Sequence, residues 1–379
     1  MPRPSGERPA MRALRVLLRM PKTIVRIAFR WMERTKDKRN GRLSPKVSHD
    51  ARTMGKLRGL MLGDRNMANV RKPWLTPSQQ VAHLKSEGVG FRICSERDAE
   101  EYLKSNNNYF RLKSYRANFA RVEGGPNDGK YIGLDFGMLT DLSIIDMRLR
   151  NEMLPITLDV EHFAKVRLLG KMEERQADGY KIVRDFLQQQ DNLGTHPYDE
   201  IDKGKSSPYT SGLVERRPDY DFPAWELIEV ISFGRFIHFY KFCADKFDNR
   251  CMQNDFYMLQ SVKGLRNGCA HNNCIINDLR AGTPPYAPRS EVKSALGRIG
   301  VRGDMQRTKL SNERMQQIAT TLFMHSGLAS VGIHNARAKS LGALRRRMDR
   351  HADYYRGCAP VSTSFDFIGR MVSGWYPTD

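Results

Sequence analysis

Cysteine is scarce in this sequence and never paired by spacing. Cys94, Cys243, Cys251, Cys269, Cys274 and Cys358 stand without a single C-x-x-C. That excludes a disulfide framework and implies the reduced thiols of a cytoplasmic protein. Cys269 and Cys274 flank a histidine, but two thiols and one imidazole do not make a zinc set, so no metal or cofactor is expected. Long uncharged runs are missing as well. None approaches the roughly 18 residues that a membrane span needs, and arginines interrupt each stretch that could pass for the core of a signal peptide. Asp135-Phe136-Gly137 lacks companion kinase motifs and reads as a chance match. Acid is short where the chain begins: the first 60 residues hold 4 Asp/Glu against 17 Lys/Arg.

The basic excess is therefore concentrated. Net charge over the 379 residues is +21, with a pI near 9.8, the footprint of a polyanion partner. In residues 11–39, Arg12, Arg15, Arg19, Lys22, Arg26 and Arg30 recur every three or four positions opposite Leu14, Leu17, Leu18, Ile24 and Phe29. This is an amphipathic pattern that Pro21 divides into two helices. An RNA-binding arm, an interfacial membrane helix and a helix packed on the body all suit it. RNA contact through Arg12, Arg15, Arg19, Arg26 and Arg30 is the leading reading, and a membrane role is the less favoured.

Beyond residue 70 the periodic stretches read as helices separated by loops. Thr76, Pro77 and Gln79 form a capping-box start for a helix that ends near Gly88, and Ser95 caps the next. Tyr109 to Arg116 interleaves aromatic and basic residues. Arg111 and Lys113 could meet RNA there, although Tyr109, Leu112 and Tyr115 fall at core spacing. From Phe136 to about Gln190 the pattern gives two long helices broken at Pro155. Glu161 and Lys165 stand i,i+4, a favourable ion-pair orientation. Residues 191–218 read as a surface loop, and one helix runs from Pro223 through Ile237, with His238 at the core edge. Gly282 to Pro288 is a rigid loop, and Ser311 opens a further helix. Arg345, Arg346 and Arg347 form a second basic cluster, equally an RNA surface or a solvated face.

One stretch brings chemistry together: Gly264-Leu265-Arg266-Asn267-Gly268-Cys269-Ala270-His271-Asn272-Asn273. Arg266 is a two-pronged donor for phosphate oxygens. The imidazole of His271 can move a proton to or from a ribose or leaving oxygen. Asn267 can hold either. By itself, R-x4-H recurs by chance in many chains. Five residues on an unbroken helix separate the two side chains by about 140° around the axis. Either Gly268 lets the backbone leave the helix, or a second copy supplies the opposing residue; both are expected.

Four stretches in order, KPWLT at 72–76, YLKSNNNYFRLKSY at 102–115, PAWELIEVISFG at 223–234 and LRNGCAHNN at 265–273, resemble the Abi-like (AbiD/AbiF-type) abortive-infection proteins of the HEPN superfamily. Phe365 to Gly369 and Trp375 resemble that family's closing segment. The resemblance implies an all-α, HEPN-type helical bundle that dimerises. It also implies metal-independent RNA cleavage in phage defence, beside a structured non-coding RNA. Arg266 and His271 would be the catalytic pair, Asn267 a polar helper and Glu161 the acid of an upstream helix. The family often carries Arg where this chain has Lys165. The expected organisation is a basic arm at 1–70, the Abi-like body at 71–280 and a basic helical extension at 281–379. The alternative is an RNA-binding protein that holds its RNA without cutting it.

Overall fold

Phe136–Glu174 forms one helix of 39 residues, about 58 Å long, and the other elements pack around it. It belongs to a computed structural model that describes residues 73–282, Pro284 and 286–378. The basic arm, with Arg12, Arg15, Arg19, Arg26 and Arg30, lies outside the described residues. Among those described the fold is all-α, with isolated β-bridges but no strand. No helix among them is long and apolar enough to cross a membrane.

The entry to the long helix is built from α1 (Pro77–Ser86), α2 (Glu96–Ser105) and α3 (Tyr109–Ser114). The expected capping box at Thr76 is present, and Ser95 and Asn108 cap the next two helices by accepting from Asp98 N and Arg111 N. The long helix is α4. Asp135 caps it through Gly137 N, while its second oxygen accepts from Arg92 N and Ile93 N. That explains the kinase-like triplet: the aspartate is a cap, and a Cβ on Gly137 would meet Ile93 at 2.3 Å.

Leu139, Leu142, Ile145, Leu149, Met153, Ile156, Val160, Ala164 and Leu168 form a buried stripe along α4. Pro155 does not break it, contrary to the sequence expectation. The carbonyl that loses its partner belongs to exposed Asn151, where water can satisfy it, and buried Met153 and Ile156 hold both flanks. The real interruption lies at 175–178, before α5 (Gly179–Asn192).

Residues 191–218 are not a plain loop, since they hold α6 (Pro197–Asp202) and α7 (Ser211–Glu215). The helix expected from Pro223 is two, α8 (Ala224–Val230) and α9 (Phe233–Lys246), because Ser232 is extended and caps α9 by accepting from Arg235 N. Then α10 (Arg250–Ala270) packs against α4 and α9. After α11 (Ser290–Arg298) and α12 (Gly303–Leu310), α13 (Glu313–Leu328) lies against both α4 and α10. Its cap is Asn312, one residue beyond the expected Ser311. α14 (Val331–Asp349) and α15 (Ala359–Trp375) close the far side. The segment after residue 280 thus shares one hydrophobic core with the body.

Candidate active site

The site lies along α4 and the C-terminal half of α10, which run antiparallel. Arg167 of α4 pairs with Asp255 near the start of α10, and Arg150 reaches Asn273 O beyond its end. Arg266 is half-buried on α10, and its Nη1 donates to Asn267 Oδ1 at 3.1 Å. Glu161 of α4 is within electrostatic reach of Arg266. Burial pushes its carboxyl above the usual carboxylate range, while Lys165 and Arg266 pull the other way. Its Oε2 is buried without a hydrogen-bond partner among the described residues, an unmet acceptor that calls for an explanation. Lys165 does not close on Glu161 as an ion pair; it reaches across to Glu229 of α8 at 3.6 Å. Arg266, Glu161, Lys165 and Glu229 thereby form a line of alternating charge over three helices.

His271 sits exposed at the C-terminal cap of α10, with its backbone N–H on Asn267 O. Gly268 does not release the backbone, as was expected of it. Helix continues through Ala270, and the chain turns at Asn272, where φ is +57°. Arg266 and His271 therefore project about 140° apart from one unbroken helix, so within one chain they do not face a common point. Arg266, Asn267 and Glu161 are brought together, and His271 stands about 140° away around the axis.

What fixes the turn after His271 is a carboxylate that sequence reading passed over. Asp146 of α4 is wholly buried. Its Oδ1 accepts from Ile275 N at 2.8 Å and Ile276 N at 3.1 Å, and its Oδ2 accepts from Tyr115 OH at 2.9 Å. Arg150 makes a close ion pair with it, and Arg111 stands 3.8 Å away. Arg111 also donates to Asn272 Oδ1 at 3.2 Å, beside His271. Buried Asn118 takes the rest of the turn, donating to Ile276 O and accepting from Leu279 N. A signal was available: Asp146 and Arg150 stand i,i+4 on the apolar stripe of α4, where an unpaired charge would be costly.

The basic residues read as RNA contacts divide. Arg111 is held by Asp146 and Asn272 rather than reaching freely outward, and Lys113 is half-buried. Arg345 and Arg346 are exposed, the former bonded to Ser373. Arg347 is not a surface residue: it is buried in an ion pair with Asp141, because its position on α14 faces α4. Three histidines outside the motif, His325, His334 and His238, are engaged within the helical body. His325 is buried between Asp159 and Tyr376 and burial lowers its pKa to about 4, while His334 bonds Trp375 O. His238 contacts Phe256. All six cysteines are free, and no group of three His, Cys, Asp or Glu among the described residues could hold a metal ion.

No curated protein and no solved structure matches the chain. Residues 101–277 match the family model described as Abi-like protein, a span that runs from α2 through the turn after His271 and takes in Arg111, Asp146, Glu161, Arg266 and His271. Over that span, the chain is similar to the Abi-like proteins.

Proposed function

We propose that the chain is a metal-independent endoribonuclease of HEPN type, acting in abortive infection against phage and working with or restrained by a structured RNA. The Abi-like match points to abortive infection. The observation that carries the rest is the placement of Glu161, with its unpartnered buried oxygen, within electrostatic reach of Arg266 in the motif. Glu161 aims the guanidinium, and Arg266 with Asn267 grips the phosphate oxygens where negative charge grows. His271 takes the proton from the 2′-hydroxyl, whose oxygen attacks the adjacent phosphorus and expels the 5′-oxygen; the leaving oxygen takes a proton from solvent water, and the imidazolium returns its proton to solvent. The products are a 2′,3′-cyclic phosphate and a 5′-hydroxyl.

Because one helix holds Arg266 and His271 apart, the complete site is composite, with the opposing residue from a second copy. Exposed Ile144, Met147, Leu158 and Val166 on α4 supply an apolar stripe beside it for that contact. The same separation favours a second reading, a protein that binds RNA through both residues without cutting it. The test is cleavage by purified protein in the presence of EDTA, with end-group analysis. Arg266→Ala and His271→Ala should each reduce cleavage by at least a hundredfold. EDTA-sensitive cleavage leaving 3′-hydroxyl ends overturns the mechanism, and absence of any cleavage supports the binding reading.

A further inference from the structure

α3 presents Phe110 to solvent at 80% exposure while the rest of the helix is tied down. Asn108 caps it, Leu112 is buried, and Arg111 bridges to Asn272, the residue after His271. Lys113 stands on the same short helix, near enough to His83 to depress its pKa together with Arg116, though burial is the larger cause. Trp74 and Tyr209 are as exposed, but no contact ties either to the motif. Phe110 is a large exposed ring on a capped, partly buried helix bonded to the turn after the motif.

We propose that α3 is a nucleotide subsite beside the motif, in which Phe110 stacks on an unpaired base and Arg111 and Lys113 hold the neighbouring phosphate. This rests on the ribonuclease reading and adds the substrate class, single-stranded RNA. Every base offers a π-face, so stacking is indifferent to sequence, whereas a base inside a duplex has both faces covered. Only one of the donors of Arg111 is committed to Asn272. The guanidinium therefore keeps donors for a phosphate oxygen while Asp146 fixes its place.

The test uses full-length protein, a short single-stranded RNA and the same RNA annealed to its complement. Phe110→Ala should raise KM for the single strand about tenfold with a much smaller change in kcat, and Phe110→Trp should restore it. A 2′-O-methylated single strand, which cannot be cut, should quench the added emission of Phe110→Trp relative to the parent, and the duplex should not. Since Phe110 is exposed, the variants should keep the parent's circular dichroism. An unchanged KM in Phe110→Ala overturns the subsite, as does unmoved emission at saturating single strand or equal quenching by duplex. If Arg266→Ala leaves cleavage intact, the ribonuclease reading fails by itself, and the methylated strand still decides whether Phe110 stacks.

Discussion

Asp146 and Glu161 are both carboxylates of α4, four turns apart, and their surroundings give them opposite duties. Asp146 has every lone-pair direction answered by two amides, a phenol and two guanidinium groups. Glu161 keeps one oxygen buried and unanswered. Asp146→Asn leaves Arg150 buried without its counter-charge, which costs on the order of 3–5 kcal/mol. Glu161→Gln removes a poorly satisfied carboxylate and should change stability by no more than about 1 kcal/mol while RNA cleavage falls. Urea denaturation beside a cleavage assay checks the pair. A large stability loss in Glu161→Gln would make it a structural residue like Asp146. At this scale the motif residues were legible because Arg and His carry distinctive chemistry at fixed spacing. Asp146 was passed over because its importance comes from the turn at 275–276, more than a hundred positions along the chain.

Helix starts were the readable part of the elements. Thr76 and Ser95 put a side-chain oxygen where the first free N–H groups need one, a local rule that survives without tertiary knowledge. Interruptions were less readable, since a break is decided by what packs on either side. Pro155 carries a local penalty of about 3 kcal/mol in a helix interior, yet α4 runs through it because its buried stripe is continuous on both sides. At Ser232, by contrast, a good cap wins within an equally apolar run and splits α8 from α9. If packing carries α4 past the proline against local preference, Pro155→Ala should restore the hydrogen bond to Asn151 O. It should then raise stability by about 1–2 kcal/mol, part of the propensity gain being offset by a freer unfolded chain. An unchanged or lower urea midpoint would mean that the ring itself fills space in the core.

The whole molecule raises the question that one helix cannot answer, namely where the second half of the site comes from. Ile144, Met147, Leu158 and Val166 lie within about a 100° arc of α4 and span about 33 Å, a strip long enough for a second copy to pack along. Two-fold symmetry would then place Arg266 of one copy opposite His271 of its partner, twice. This arrangement has an arithmetic signature. Arg266→Ala and His271→Ala are each inactive alone, because every site lacks one partner. Mixed and allowed to exchange, half of the dimers contain one of each. In such a dimer one site has lost both residues, but the other draws its arginine and its histidine from the intact positions of opposite copies. Cleavage should therefore return to about a quarter of the parent's rate in the equal mixture. Replacing Leu158 with Asp should prevent the recovery by keeping the copies apart. A site assembled within one chain would leave the mixture as dead as its components, so failure of recovery in a mixture shown to contain mixed dimers would return both residues to a single protomer.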